Sequence, residues 1–276
     1  MNAVRILNSG LALVVACLAL LNDWIFIILV CLLTAGGLYE FFYLIKKKNI
    51  PIYSYTGIFI GVLIPLSIFF QFELTKNWEL LFIVCGFLLL LLLQFARQDN
   101  RNAVIGISTT LFGVLYVSWF LSFLVKIRLL LPGGDGIKLL AFIILVTKAG
   151  DVGGLFIGTL WGRHPLLPNV SPNKSVEGAV GGIALSALVA VLCRPWLPPV
   201  PHFTAPFVAL VGCFFGGLGQ LGDLWESTIK RDCNVKDSGS FLPGTGGVLN
   251  MVDSLLFSAP AFYLYMSSTL ALIPGR

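Results

Sequence analysis

The sequence predicts an all-α, polytopic integral membrane protein with about nine transmembrane helices, and two observations carry that prediction. Hydrophobic residues make up 57% of the 276 residues and charged residues only 11%, whereas a water-soluble domain carries about 25% charged residues. The apolar residues also fall into stretches close to the roughly 20 residues that a helix needs to cross a bilayer. This composition excludes a disordered chain, collagen, a secreted disulfide scaffold and a nucleic-acid-binding domain.

The predicted helices follow one another with short connections. The first is short, and an Asn-Asp-Trp turn at 22–24 joins it to the second. Because a second apolar stretch follows so closely, we expect the first to be retained rather than cleaved as a signal peptide. The sixth and eighth are unusual in carrying, or running into, ionisable groups. The predicted spans are 6–21, 24–45, 52–72, 78–96, 103–125, 138–160, 177–194, 203–222 and 252–272.

The basic residues predict the orientation of these spans. With the N-terminus in the cytoplasm, 11 Lys and Arg residues fall on that side, 6 fall on the other, and Lys148 lies inside a span. Cytoplasmic loops carry the excess of cations in membrane proteins, so this orientation is favoured. It places the 161–176 and 223–251 connections on the cytoplasmic face. The cations are scattered and form no stripe, which speaks against a nucleic-acid partner. We expect a bacterial inner (cytoplasmic) membrane.

The chain divides by chemistry into residues 1–137 and 138–276. The apolar stretches of the first part, which we expect to be a scaffold of transmembrane helices, hold no polar cluster except Glu40. Ionisable groups at membrane depth are costly and therefore usually face a polar cavity or each other. In the second part they gather near the predicted membrane boundary, as Lys148, Asp151, Glu177, Asp223, Glu226 and Asp253.

The densest group of polar residues lies in 219–253. If the eighth helix continues, its polar residues recur at three- and four-residue spacing and share one face. Two carboxylates, a hydroxyl and two cations on one face can hold a divalent metal bridged to phosphate oxygens. A solvated cap of i,i+4 ion pairs on a membrane helix explains the same pattern. These residues are Asp223, Glu226, Ser227, Lys230 and Arg231.

A glycine-rich loop, LPGTGG at 242–247, follows this face. Gly244, Gly246 and Gly247 allow the tight turns that bring backbone N–H groups close to an anion. A plain connection between two helices uses the same residue types. Asn250 and Asp253, three residues apart on the next helix, are either ligands or caps of its N-terminus.

A second group of polar residues occupies 148–182. Lys148 and Asp151 lie one turn apart in an apolar span, so they either pair with each other or serve a site. In SPNKSVEG, at 171–178, Ser175 is a candidate N-cap, and Lys174 is placed to meet a polyphosphate at a helix start. The alternative interpretation is a helix cap with no ligand.

The spacing of the 227–247 residues resembles the signature of the CDP-diacylglycerol synthases, also called phosphatidate cytidylyltransferases. The SPNKSVEGAVGG segment, preceded by Asp151, resembles a second stretch of that family. The first resemblance rests on Ser227, Lys230, Arg231, Lys236, Asp237, Gly239, Leu242, Pro243, Gly244, Gly246 and Gly247.

The resemblance implies a membrane enzyme of about nine spans, typically a homodimer with contacts through the first part of the chain. It implies transfer of CMP from CTP to phosphatidic acid, which gives CDP-diacylglycerol and pyrophosphate. It also implies Mg²⁺, alone or with a second, monovalent cation, and a site that faces the cytoplasm among membrane lipids.

The same resemblance assigns roles to single residues. The implied catalytic residues are Ser227, Lys230, Arg231, Lys236 and Asp237. The implied substrate-binding residues are Asp151, Lys174, Gly244, Gly246 and Gly247. The implied metal ligands are Asp223, Asn250 and Asp253.

The chain departs from the family pattern at three positions. Thr245 stands where the family usually has His, and Asn250 and Met251 stand where it usually has Asp-Arg. An amide offers a hard cation a carbonyl oxygen but no charge, so we expect weaker metal binding unless Asp253 or Asp237 compensates.

Three alternatives to this function stay open on the sequence alone. The departures fit an inactive homologue, or one of altered specificity that uses another lipid phosphate as acceptor. A lipid transporter is the third, with Lys148, Asp151 and Glu177 as an ion relay. The gathering of the polar groups at one face argues against that relay.

Overall fold

The structure is a computed structural model that describes residues 18–71, 78–132, 134–235, 239 and 247–272. Eight helices account for most of these residues, and they coincide with the second to ninth predicted spans. The first predicted span, 6–21, lies almost wholly outside the described residues. The helices are α1 Asp23–Lys46, α2 Ser54–Phe69, α3 Trp78–Phe95, α4 Ala103–Leu129, α5 Asp135–Trp161, α6 Val176–Leu192, α7 Ala205–Asp232 and α8 Val248–Ala271.

Five of these helices, α1, α4, α5, α7 and α8, are long and apolar enough to cross a membrane. Helices α2, α3 and α6 are apolar but shorter. The structure therefore has the character of an all-α membrane protein, and the count of nine spans stays a prediction. Helix α4 contains a π-helical stretch, Val114–Trp119, which the sequence pattern does not predict.

A short β-hairpin between α5 and α6 is the exception to the all-α prediction. Strands β1, Pro165–Leu167, and β2, Ser171–Ser175, pair antiparallel. The Glu177 carboxylate accepts hydrogen bonds from the backbone N–H groups of Arg163 and His164, so the first turn of α6 fastens the start of the hairpin. The predicted N-cap is confirmed, because the Ser175 Oγ accepts a hydrogen bond of 3.1 Å from the Gly178 N–H.

The residues group into two compact units, and the boundaries of these units differ from the single boundary predicted at 137. The first unit comprises residues 1–126 and 232–252. Its core is aliphatic and aromatic, with Leu38, Phe41, Phe42 and Ile64 almost fully buried. The predicted division concerns where ionisable groups gather, and it stays a prediction.

Within this first unit, Glu40 is a carboxylate buried in the middle of an apolar helix. It lies in α1 and is 4% exposed. Its Oε1 accepts a 2.8 Å hydrogen bond from the Val248 N–H, and its Oε2 accepts a 2.8 Å hydrogen bond from the Leu249 N–H. These donors are orphan amides of the first turn of α8, which have no partner within their own helix. Glu40 therefore caps a helix that begins 208 residues later in the chain.

The second unit comprises residues 127–231 and 253–276. Its helices approach closely where glycines face each other. A Cβ at Gly182 would lie 2.6 Å from the Gly150 carbonyl oxygen, so α5 and α6 pack with almost no side chain between them. A Cβ at Gly222 of α7 would lie 2.2 Å from the Asp253 carbonyl oxygen of α8. These contacts place the polar residues of α5, α6, α7 and α8 within reach of one another.

Candidate active site

Three carboxylates from two helices of the second unit converge at the Gly222 contact. Asp223 and Glu226 lie one turn apart on α7, and Asp253 lies on α8. One carboxylate oxygen from each lies within 4.8 Å of the others. Glu226 is fully buried and Asp253 is 4% exposed. A third carboxylate, from α8, thus joins the two carboxylates that the sequence predicts on one face of α7.

Two lysines are paired with this carboxylate cluster, which we define as Asp223, Glu226 and Asp253. Lys174, in strand β2, forms an ion pair with Asp223. Lys230, one turn after Glu226, forms an i,i+4 ion pair with that residue, and its side chain is only 12% exposed. Charge pairs that are largely removed from water are screened little by salt. The Lys230–Glu226 pair is therefore buried rather than part of a solvated helix surface, whereas the Lys174–Asp223 pair is partly exposed.

A third lysine forms a polar triangle beside the cluster. The Lys148 Nζ lies 2.9 Å from the Asp151 Oδ2 and donates a 2.8 Å hydrogen bond to the Ser254 Oγ. The Ser254 hydroxyl in turn donates to Asp151 at 3.1 Å. The sequence left open whether Lys148 and Asp151 pair with each other or serve a site, and the structure shows that they form an ion pair. Ser254, directly after Asp253, links this pair of α5 to α8.

A cavity of about 330 Å³ reaches one residue of the triangle, Asp151, and one residue of the cluster, Asp223. Gly150, Gly154 and Gly158 of α5 line one side of it. Asp151, Asn173, Lys174, Gln220 and Asp223 contribute its polar lining. Ligand pockets generally run from about 300 to 1,000 Å³ and combine an apolar wall with a few polar groups. The cavity therefore has the size and lining of a small-molecule site.

The balance of charge favours a cation at the carboxylate cluster. Four carboxylates lie here, Asp151, Asp223, Glu226 and Asp253, against the three lysines Lys148, Lys174 and Lys230. Within the part of the chain that the structure describes, Asp253 forms no ion pair. A buried carboxylate normally needs a partner charge or a metal. Carboxylate oxygens are also the ligands that Mg²⁺ and Ca²⁺ prefer. The donor set fits a hard divalent cation.

The structure brings together only some of the predicted site residues. Ser227 is buried near the end of α7. Arg231 is exposed, and its Nε donates a 3.1 Å hydrogen bond to the Val170 carbonyl oxygen in the hairpin. Lys236, Asp237, Gly244 and Gly246 lie outside the described residues. Their predicted roles stay predictions.

The start of α8 follows the glycine-rich loop, whose predicted anion-binding turn lies mostly outside the described residues. Gly247 is buried and directly precedes α8. The next two N–H groups, of Val248 and Leu249, already bind the Glu40 carboxylate. Asn250 is exposed in this first turn, and its role as a metal ligand stays a prediction.

The family resemblance assigned no role to two residues of this site. Glu226 has the three-residue spacing from Asp223 that indicates a shared face, and that spacing alone made it a candidate metal ligand. Ser254 carries no signal of its own, since a serine next to an aspartate in an apolar helix is common. Only the approach of α5 to α8 shows that Ser254 connects Lys148 and Asp151.

Comparison with known proteins finds relatives that match nearly the whole chain. The profile of the cytidylyltransferase family matches residues 3–269. A phosphatidate cytidylyltransferase of Synechocystis sp. is 31% identical over 96% of this chain and 97% of its own length. One from Bacillus subtilis is 31% identical over 95% of this chain and 97% of its own length. A chloroplastic phosphatidate cytidylyltransferase of Arabidopsis thaliana is 30% identical over 97% of this chain and 73% of its own length. The chain therefore belongs to the cytidylyltransferase family.

Proposed function

We propose that this protein is a phosphatidate cytidylyltransferase. A phosphate oxygen of phosphatidic acid forms a new bond to the α-phosphorus of CTP. The bond from that phosphorus to the oxygen bridging to the β-phosphate breaks, and pyrophosphate leaves. The products are CDP-diacylglycerol and pyrophosphate. Two bacterial relatives of this name align over almost their whole length, and that observation carries the proposal.

The side chains around the cavity suit this reaction. The attacking phosphate is already ionised near neutral pH, so the reaction needs no strong general base. It needs cations that bring two anionic substrates together and neutralise the leaving pyrophosphate. Lys174 lies in the cavity wall, and Lys230 is paired with Glu226 of the carboxylate cluster. We assign phosphate contacts to both lysines and to Arg231 and Lys236, in agreement with their signature positions.

We further propose that Asp223, Glu226 and Asp253 hold Mg²⁺, with a second, monovalent cation as a further option. When bound, the ion supplies positive charge that neutralises the phosphates of CTP. The chain's own part is to keep three carboxylates converged through the Gly222 contact and to leave one of them, Asp253, without a lysine partner. The amide of Asn250 would add at most a neutral oxygen.

The arrangement in the membrane is also a proposal. We infer nine spans with the N-terminus in the cytoplasm, an active site at the cytoplasmic face, and a homodimer in a bacterial inner membrane. The excess of Lys and Arg on that side supports this orientation. A site at the interface also suits one substrate that is dissolved in water and another that lies in the leaflet.

The proposal is tested with purified protein in detergent micelles that contain phosphatidic acid, CTP and Mg²⁺. Mass spectrometry of the lipid fraction should find CDP-diacylglycerol although micelles sustain no membrane potential. The ion relay of the alternative transporter would require such a potential. Competition between phosphatidic acid and other lipid phosphates identifies the preferred acceptor. The proposal is wrong if folded wild-type protein, whether a monomer or a dimer, consumes no CTP with any lipid phosphate.

The metal site is tested by a pair of variants in the same assay. Asp223→Asn should abolish turnover, because it removes a charged ligand and leaves Lys174 without its partner. Asn250→Asp should lower the Mg²⁺ concentration needed for half-maximal rate. An Asp223→Asn variant with wild-type turnover would contradict the cation site. A silent wild type rescued by Asn250→Asp would identify a chain whose metal site has decayed.

A further inference from the structure

Glu40 has a role that none of its surroundings in α1 explains. It is the one buried ionisable residue among those that the structure describes in α1, and both of its oxygens accept hydrogen bonds from α8. A Cβ added at Gly239 would also lie 2.7 Å from the Glu40 Oε1. Glu40 therefore lies close to Gly239, in the connection between α7 and α8, as well as to the start of α8.

Burial of this carboxylate is costly unless its surroundings compensate for the lost water. Two N–H donors at 2.8 Å and the positive end of the α8 dipole give that compensation. The favourable interaction exists only while α8 begins at Val248 and lies against α1. The energetics therefore fix both where the helix begins and where its first turn lies.

An internal anion at this position also changes the interpretation of the glycine-rich loop. A free helix N-terminus after a run of glycines is a ready anion site. Here the N–H groups of Val248 and Leu249 are already bound to Glu40. Substrate phosphates must then be bound by side chains and by other parts of the loop. The start of α8 serves to hold the helix rather than to hold the substrate.

We propose that Glu40 is a positioning residue for the cytidylyltransferase reaction. It fixes the first turn of α8, the helix that carries Asn250 in that turn and Asp253 in the next. A ligand displaced by about 1 Å can cost about 100-fold in rate. Glu40 touches no substrate, and its effect passes through the helix. The kinetic part of this inference rests on the proposed function. The helix cap rests on the geometry alone.

The test uses Glu40→Ala and Glu40→Gln in the full-length protein, with Thr34→Val as matched control. Thr34 lies on the same helix, is fully buried, and its hydroxyl has no hydrogen-bond partner among the described residues. Removing its hydroxyl therefore changes a buried polar atom of α1 without removing a hydrogen bond to α8. Hydrogen–deuterium exchange of the 248–253 amides and steady-state kinetics are measured on each protein.

The cap and the kinetic role have separate readouts. Loss of a helix cap raises local opening about fivefold or more, so Glu40→Ala should exchange the Val248 and Leu249 amides at least about fivefold faster. Its kcat should fall at least about tenfold, while the KM for phosphatidic acid stays within about twofold. Glu40→Gln keeps one acceptor oxygen and should be intermediate in both. Thr34→Val should match the wild type.

Each possible failure has its own meaning. Wild-type exchange at Val248 and Leu249 in Glu40→Ala overturns the cap, and faster exchange with an unchanged kcat overturns the positioning role. Equal losses in Glu40→Gln and Glu40→Ala would assign the effect to the charge of Glu40 and overturn positioning by hydrogen bonds. If the wild type itself makes no CDP-diacylglycerol, the proposed function fails while the exchange data still decide the cap.

Discussion

Gly222 offers the sharpest test of how the carboxylate cluster is built. It lies on α7 directly before Asp223, and a Cβ there would lie 2.2 Å from the Asp253 carbonyl oxygen and 3.1 Å from its carbonyl carbon. Real Cβ atoms almost never come closer than 3.0 Å to such an atom. Backbone cannot swing aside as a side chain can. Gly222→Ala must therefore move α7 and α8 apart by nearly 1 Å at the cluster.

The expected loss follows from that displacement. A misplacement of about 1 Å costs about 100-fold in rate, or about 2.7 kcal/mol of transition-state stabilisation. Stability should change less, because overpacking costs about 1–3 kcal/mol while alanine gains about 1 kcal/mol over glycine in a helix. The variant should therefore melt within a few degrees of wild type and still lose most of its activity.

Gly217→Ala is the matched control for this experiment. Gly217 lies on the same helix, and a Cβ there would meet no atom within 4 Å. The same chemical change should leave activity at the wild-type level and raise the melting temperature slightly. The assay is formation of CDP-diacylglycerol from CTP and phosphatidic acid, beside thermal unfolding in detergent. A Gly222→Ala protein with activity within threefold of wild type would refute the role of this close contact.

Three further predictions concern other parts of the fold. Glu226→Gln leaves the buried Lys230 charge without the Glu226 carboxylate, which should lower the free energy of unfolding by about 3 kcal/mol. Adding Lys230→Met to this variant should restore thermal stability but not turnover. Recovery of turnover in the double variant would contradict a role of Glu226 in the site. Ser175→Ala removes the α6 N-cap and should cost about 1 kcal/mol in thermal or denaturant unfolding, whereas no change would mean that the cap is unimportant. Burial raises the pKa of the Cys233 thiol, so that thiol stays protonated further above neutral pH than an exposed cysteine. Its alkylation at pH 8 should be at least about tenfold slower than that of a cysteine introduced by Gln98→Cys in the exposed 96–102 connection, and equal rates would contradict the burial.

Helix positions were predictable because apolar composition alone decides where a membrane helix can form. The predicted span 103–125 coincides with α4, for example, since a run of apolar residues has no soluble alternative. The hairpin at 165–175 was not predicted, because its short strands carry no alternating pattern. The C-terminal end of α7, at Asp232, lies beyond the predicted end at 222, since polar residues continue a helix once they leave the membrane core.

The residue types of the candidate site were predictable from the sequence, but most of the contacts between those residues were not. Spacing on α7 indicated that Asp223 and Glu226 share a face, and the pair of Lys148 and Asp151 followed from one helical turn. Pairing of Lys174 with Asp223 depends on how β2 meets α7, which no local pattern encodes. The cap formed by Glu40 likewise joins residues about 200 positions apart, so only the folded chain reveals it.

The central claim is tested most directly by measuring both products of a single reaction. Purified wild-type protein is given CTP, phosphatidic acid and Mg²⁺, and CDP-diacylglycerol and pyrophosphate are quantified together. The proposed chemistry predicts equal amounts of the two, with neither formed when phosphatidic acid is omitted or when Asp223 is replaced by Asn. Pyrophosphate without CDP-diacylglycerol, or equal product from Asp223→Asn, would contradict it.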